Sequence, residues 1–162
     1  MKNAILVIVF SSALSGSGCG GNPPAPDPAA AEQDTIRQEL LAYYQDMSDR
    51  DWVRYRAHFW DNGTITTIWQ QPGDSSRRVH VTAIDEFIRD MPNGPDSKPV
   101  FEEKMLGSEI AITGNLSVVW ARYEAKFGST DSLARWQGTD VFTLLRFGGS
   151  WKIVSLVFQG DS

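Results

Sequence analysis

The sequence has few of the side chains from which disulfide frameworks and metal sites are built. Its 162 residues include one cysteine, Cys19, and two histidines. A single thiol forms no internal disulfide, and no histidine, cysteine or acidic spacing matches a metal-binding motif. Basic side chains number 15 against 20 acidic ones and form no continuous stripe. We therefore predict no disulfide scaffold, no metal, no cofactor and no nucleic-acid partner.

Long apolar runs are also missing, apart from a short one at the N-terminus. Residues 4–10, AILVIVF, follow Lys2 and precede small residues that end at Cys19. This run is shorter than the roughly 20 residues that span a bilayer, and it has the length of a signal-peptide core. The segment resembles the lipobox of bacterial lipoproteins, in which the cysteine is acylated and becomes the N-terminus. Gly16 stands where that motif usually has leucine, so an ordinary secretory signal is the alternative.

Residues 20–33, GGNPPAPDPAAAEQ, contain no aromatic or branched aliphatic side chain. Such a composition buries too little apolar surface to fold by itself. We divide the chain into a signal peptide (1–18), a lipid-attachment cysteine with an extended tether (19–33) and one folded domain (34–162). The protein is then expected to be exported and anchored to the membrane of the cell envelope. The resemblance to lipoproteins implies the outer membrane in a Gram-negative organism, because Gly20 is not acidic.

The folded part changes from helical to strand patterns along its length. Apolar side chains recur every three or four residues after Asp34, and a shorter helix is expected after Asp51. A hairpin over residues 64–81 and a third helix over 83–90 follow, with a turn expected at residues 61–63. From residue 100 onward, alternating strands are joined by glycine-containing turns. This order predicts an α+β fold in which the helices pack on a strongly curved antiparallel sheet.

Three stretches resemble a known superfamily. They are residues 43–64, YYQDMSDRDWVRYRAHFWDNGT, residues 110–121, IAITGNLSVVWA, and residues 136–154, WQGTDVFTLLRFGGSWKIV, and they look like parts of the nuclear-transport-factor-2-like (SnoaL-like, ketosteroid-isomerase-like) superfamily. The resemblance extends over nearly all of the domain in the expected order. It implies a cystatin-like cone with an apolar pocket at its open end. It implies no single activity, because this fold hosts isomerases, dehydratases and non-catalytic binding modules.

The catalytic positions that the resemblance implies are mostly filled by residues unsuited to acid–base chemistry. The isomerase pattern places its tyrosine at Tyr43, but its base falls on Thr67 and its late acid on Thr143. A threonine cannot abstract a carbon-bound proton at neutral pH. The dehydratase pattern needs a tyrosine–aspartate pair where this chain has Met47 and Ser48. Both familiar activities are therefore disfavoured.

Two ionisable side chains remain as candidate acid–base residues, with Tyr43 as a hydrogen-bond donor. His58 lies near the end of the second helix, where a packed or solvated imidazole is the simpler interpretation. Asp140 lies in a strand and faces away from Val141 and Thr143. If that side is the interior, burial raises its pKa and makes it a credible general base. If it is the exterior, Asp140 belongs to the surface of the sheet.

The leading hypothesis for function is binding without catalysis. A pocket with aromatic walls and hydroxyl groups suits a small, mostly apolar ligand. The residues expected to line it are Tyr43, Ile65, Thr67, Trp69 and Thr143. Alternatively, the sheet face pairs with a second copy or with another envelope protein, which predicts an exposed apolar patch around Trp120, Phe142 or Leu144.

Replacing Cys19 tests the membrane anchor. The native protein is expected in the membrane fraction with an acyl mass on Cys19, whereas Cys19→Ala is expected in the soluble exported fraction without it. Cell fractionation and intact mass spectrometry measure both properties, and Ser17→Ala serves as a control. Identical fractionation of the two proteins, together with a native mass that lacks lipid, would show that the anchor hypothesis is wrong.

Overall fold

The computed structural model describes residues 27–69 and 75–161, so the predicted signal peptide and Cys19 lie outside the described residues. The first helix, α1, is Pro28–Ser48, and it begins six residues before the predicted start at Asp34. Asp27 is the N-cap, and its side chain accepts a hydrogen bond of 3.0 Å from the Ala29 amide. The prediction of an extended tether is therefore wrong for residues 28–33, because the Asp27-Pro28 pair supplies a helix start further upstream.

Two shorter helices follow α1. The second, α2, is Trp52–Ala57, and its cap is Asp51, as predicted: the Asp51 carboxylate accepts a hydrogen bond of 3.0 Å from the Arg54 amide. The third, α3, is Ile84–Arg89 and has no side-chain cap. Among the described residues, no helix combines the length and apolar character that crossing a membrane requires.

Six strands form one sheet in the order β2-β1-β6-β5-β4-β3. Their bounds are β1 Phe59–Trp69, β2 Arg78–Ala83, β3 Val100–Thr113, β4 Leu116–Ser129, β5 Ser132–Phe147 and β6 Ser150–Gly160. All neighbouring pairs are antiparallel except β1 and β6, which are parallel. The prediction of an antiparallel sheet is thus wrong at one pair. The reason is that the last strand returns to the first, a pairing between distant segments that no hairpin turn specifies.

The turn predicted at residues 61–63 is a bulge within β1. The register between β1 and β6 shifts between Phe59 and Thr64. Asn62 has a φ of 61°, in the left-handed region that asparagine tolerates better than most residues. The turn chemistry is therefore real, but it bends a continuous strand and does not end one.

Alternate side chains of the long strands face α1 and form the core. The buried positions of β4 and β5 are Ser117, Val119, Ala121, Tyr123, Ala125, Gly128, Gly138, Asp140, Phe142 and Leu144. The expected exposed patch is therefore only partly present, because Phe142 and Leu144 are fully buried while Trp120 is 48% exposed. At the centre of the core, the Tyr43 ring lies 5.0–5.2 Å from the rings of Tyr44, Tyr55 and Phe142.

Candidate functional site

Asp140 faces the interior of the cone. It lies on β5 between the buried residues Gly138 and Phe142, and it is 3% exposed. The Tyr44 hydroxyl, on α1, donates a hydrogen bond to Asp140 Oδ2. Of the two orientations that the sequence left open, the structure has the one in which Asp140 belongs to the core.

Burial changes the protonation of both members of this pair. Burial raises the pKa of Asp140 to about 7, and the hydrogen bond from Tyr44 partly opposes that rise. Burial, followed by the charge of Asp140, also raises the pKa of Tyr44 far above its ordinary value. Tyr44 is therefore a neutral donor at neutral pH, where Asp140 carries its proton in a substantial fraction of the molecules.

Glu103 is a second acid on the inner side of the sheet. It lies on β3 between Phe101 and Met105 and is half-buried. Burial, followed by the charge of Asp140, raises its pKa to about 8. Its backbone is fixed to the end of α1, because Ser48 Oγ donates to the Glu103 carbonyl at 2.8 Å and accepts from the Glu103 amide at 2.9 Å. At neutral pH Glu103 is therefore mostly protonated.

Further neutral phenols surround the two acids. The hydroxyls of Tyr43 and Tyr55 lie 3.1 Å apart, and burial raises the pKa of both. Burial also raises the pKa of Tyr123 to about 12, with a hydrogen bond from Trp136 opposing the rise. Tyr123 packs over Gly138, where a Cβ atom would lie 2.5 Å from the phenol oxygen. The interior thus offers hydrogen-bond donors and acceptors without a fixed charge.

A surface depression of about 500 Å³ borders Glu103. It lies between the C-terminal end of α1 and the edge strand β3. Its lining includes Gln45, Ser48, Phe101 and Glu103, together with the charged residues Asp49, Glu102, Lys104, Glu124 and Lys126. Of the two acids with raised pKa values, Glu103 is the one that lines this depression.

The structure separates the residues that were predicted to line the pocket. Tyr43 and Ile65 are core residues, 1% and 3% exposed. Thr67 is half-buried on the same side of β1 as Ile65, whereas the side chain of Trp69 lies outside the described residues. Thr143 faces the outside of the sheet, because its neighbours Phe142 and Leu144 point inward. The prediction that Thr143 lines an interior pocket is therefore wrong.

His58 is buried, as its simpler interpretation predicted. Its Nδ1 lies 2.8 Å from Glu39 Oε1, and its Nε2 lies 2.9 Å from Asp46 Oδ2. Both ring nitrogens are thus engaged by carboxylates of α1. This arrangement leaves neither nitrogen available to a substrate.

The sequence contained signals for the two residues that its interpretation missed. Tyr44 follows Leu40 by four residues, so it belongs to the same helix face as Tyr43. Glu103 alternates with Phe101 and Met105, which puts an acid on the apolar face of its strand. A polar residue at an apolar position of such a pattern marks a candidate site.

The helices packed on a curved sheet define an α+β cone of the cystatin-like, nuclear-transport-factor-2-like class. Similar solved structures include a protein of unknown function with a cystatin-like fold from Nostoc punctiforme (12% identity, 82% of this chain and 92% of that one, TM-score 0.64). A "putative scytalone dehydratase" from Novosphingobium aromaticivorans is 12% identical, with 83% of this chain and 87% of that one covered and a TM-score of 0.67. A nuclear-transport-factor-2-like protein of unknown function from Shewanella baltica is 21% identical, with 84% of this chain and 98% of that one covered and a TM-score of 0.60. At these identities the likeness shows the fold alone.

A family model identifies the chain more closely. Residues 31–159 match the family described as "putative lumazine-binding", and the chain belongs to that family. No curated protein matches the sequence. The fold class predicted from the sequence is confirmed.

Because Asp140 and Glu103 have raised pKa values in the folded protein, we predict that the free energy of unfolding falls as pH rises from about 4 to about 8. In this range the folded protein holds protons that the unfolded chain has released. For Asp140 the rise from 3.8 to about 7 corresponds to about 4 kcal/mol. Asp140→Asn still accepts the bond from Tyr44 but has no such proton, so its urea-unfolding free energy should depend less steeply on pH. Exposed Asp131→Asn is the control, and equal slopes for Asp140→Asn and the native protein would contradict the assignment.

Proposed function

We propose that this domain binds a small, flat heteroaromatic ligand at the depression beside Glu103. The observation that carries the proposal is the position of Glu103, which shares the inward side of β3 with Phe101 and lines the depression, where burial raises its pKa to about 8. Asp140 has Tyr44 as its hydrogen-bond partner, whereas the described contacts give the Glu103 carboxyl none. Burying a polar group without a partner costs about 1–3 kcal/mol, and a ligand that bonds to Glu103 would remove that cost.

The protonation of the acids indicates what kind of ligand they suit. A carboxylate only accepts hydrogen bonds, whereas a protonated carboxyl donates one and accepts others. Glu103 in its neutral form therefore complements an adjacent N–H and C=O, the edge of a lactam. Lumazine, after which the family is described, has such edges on a bicyclic ring. The ligand proposed here is a neutral compound of that class.

The size and the lining of the depression support the same ligand class. Its volume of about 500 Å³ lies within the roughly 300–1,000 Å³ of small-molecule sites. Phe101 provides an aromatic surface and Gln45 an amide next to Glu103. Tyr44 and Asp140 lie further inside, where Asp140 acts on Glu103 through its charge. In this proposal the inner pair sets the proton affinity of the acid that meets the ligand.

Catalysis by Asp140 is the second candidate function. A general base works best when its pKa is close to the operating pH, and the pKa of Asp140 is about 7. Tyr44 donates to its carboxyl and would serve as the neutral hydrogen-bond donor, the role that the sequence had given to Tyr43. His58 is a weaker candidate, because Glu39 and Asp46 engage both of its nitrogens.

The outer face of the sheet and the N-terminus complete the proposal. Side chains in register across five strands form an apolar row: Val81, Thr66, Val157, Val141 and Trp120. Val81, Val157 and Trp120 are 65%, 47% and 48% exposed, and we propose that this row pairs with a second copy of the chain.

Acylation at Cys19 would hold the domain at the cell envelope, at the outer membrane of a Gram-negative cell.

Titration with lumazine tests the ligand proposal. Affinity, followed by ligand fluorescence, should be highest below pH 7 and fall about tenfold per unit above pH 8, because ionised Glu103 can no longer donate. Glu103→Gln keeps a donor and an acceptor and should bind with a weaker pH dependence. The control is Glu109→Gln, on the exposed side of the same strand. Any pH dependence that comes from ionisation of lumazine itself is the same for the native protein and both variants, so it cancels when their affinities are compared.

The same titration separates the two candidate functions. Recovery of unchanged lumazine from the complex supports binding, whereas conversion that Asp140→Asn abolishes would support catalysis. If the native protein binds no lumazine at any pH, or if Glu103→Gln loses affinity with the same pH profile as the native protein, the proposed site is wrong.

A charge in the outer row tests the homodimer. Trp120→Asp places a carboxylate in the apolar row, and the cost of burying an unpaired charge should convert the dimer into a monomer. Sedimentation velocity of the full chain measures the change, with Lys104→Asp on the neighbouring edge strand as the control. A native protein that sediments as a monomer would exclude the pairing.

A further inference from the structure

His58 joins two helices through both of its ring nitrogens. It follows α2 directly as the C-cap residue, and it is 8% exposed. Its Nδ1 contacts Glu39 at 2.8 Å and its Nε2 contacts Asp46 at 2.9 Å. The two acids are seven residues apart, two turns along one face of α1. The imidazole therefore lies between two carboxylates of the same helix.

This geometry requires a particular protonation state. A neutral imidazole has one N–H and one bare nitrogen, and an ionised carboxylate has only acceptors. A neutral ring would thus set a nitrogen lone pair against a carboxylate oxygen at one of its two contacts. Only the imidazolium donates to both Glu39 and Asp46.

The other groups that face this cluster come from α1, α2 and β6. Arg54 on α2 lies 3.1 Å from Asp46 and 2.9 Å from Asp51. The Tyr43 ring meets the imidazole edge-on at 6.2 Å, and the Ile153 amide on β6 donates to the His58 carbonyl at 2.8 Å. Burial lowers the pKa of His58, but the bonds to Glu39 and Asp46 outweigh it and raise the pKa above the ordinary value.

We propose that the His58 imidazolium is a pH-dependent clamp that holds α1 against the corner between α2 and β1, and that loss of its proton loosens α1. The clamp goes beyond the proposed ligand site, because it requires no ligand. It acts at Glu39 and Asp46, and within the described part of the chain only Asp46 has a second cation nearby, Arg54.

That asymmetry determines which proton leaves. Asp46 keeps Arg54 as a partner, whereas His58 is the one partner that the described contacts give to Glu39. Losing the proton on Nδ1 would therefore leave Glu39 without a donor, whereas losing the proton on Nε2 leaves Asp46 paired with Arg54. Deprotonation should leave the Nδ1–H tautomer, with Glu39 still bound and Asp46 paired to Arg54 alone.

Nitrogen NMR of the full-length protein with labelled histidine measures both the titration and the tautomer. Two histidines give two sets of ring signals, and loss of one set in His58→Gln identifies His58. Protonation of both nitrogens at low pH, a midpoint above 6.5 and the Nδ1–H tautomer at high pH are expected. A midpoint at or below 6.5, or a neutral ring at every pH, would overturn the clamp.

Hydrogen exchange tests the mechanical consequence. Protection of the α1 amides relative to those of β4 should fall as pH passes the midpoint, by up to about tenfold for each unit by which the midpoint exceeds 6.5, because the pH dependence that Asp140 and Glu103 give the whole domain lowers the protection of both elements. Glu39→Gln should lower the midpoint and Arg54→Gln should raise it, since they remove an anion and a competing cation. An unchanged ratio of α1 to β4 protection across the native midpoint would contradict the proposal, even if the titration is as expected.

Discussion

The hydrogen bond from Tyr44 to Asp140 is the interaction around which the interior of this protein is organised. It joins the buried face of α1 to the middle of β5, so it joins the helical layer to the sheet. The inward orientation of Asp140 follows from Phe142 and Leu144, which lie two and four residues further along the same face. Once these two residues enter the core, the carboxyl group enters with them. The fold then needs a donor opposite Asp140, and α1 supplies a phenol.

One helix accommodates carboxyl groups in two different ways. Inside the cone, the Asp140 carboxyl accepts from Tyr44, the backbone of Glu103 is bonded to Ser48, and both acids hold protons near neutral pH. At the rim, Glu39 and Asp46 belong to α1 itself, and there the charge of each acid is balanced by a cation. The difference follows from the available partners, because a nearby cation favours the charged form of an acid, whereas burial beside neutral groups favours the protonated form. Both solutions make the packing of α1 depend on protons.

Local features of the fold could be predicted from the sequence, and distant pairings could not. The face of α1, the Asp51 cap and the alternation in β4 are determined by neighbouring residues, and each was predicted correctly. The parallel pairing of β1 with β6 depends on where the chain returns after about ninety residues, which no turn motif encodes. The site was harder to predict for a related reason. The direction of Asp140 was an open choice until the burial of the whole strand was known.

The position of the acids also explains why the catalytic residues of the isomerase pattern were not found at the positions expected from the sequence. That pattern points to Tyr43, Thr67 and Thr143, yet the polar pair occupies Tyr44 and Asp140, one residue further along the helix and three residues earlier in the strand. The interior therefore has a tyrosine and an acid, but the first-strand position opposite them remains Thr67, which cannot serve as a base. A cone that offers neutral donors and acceptors without that base is better suited to hydrogen-bonding a ligand than to removing a carbon-bound proton. This combination favours binding over isomerisation.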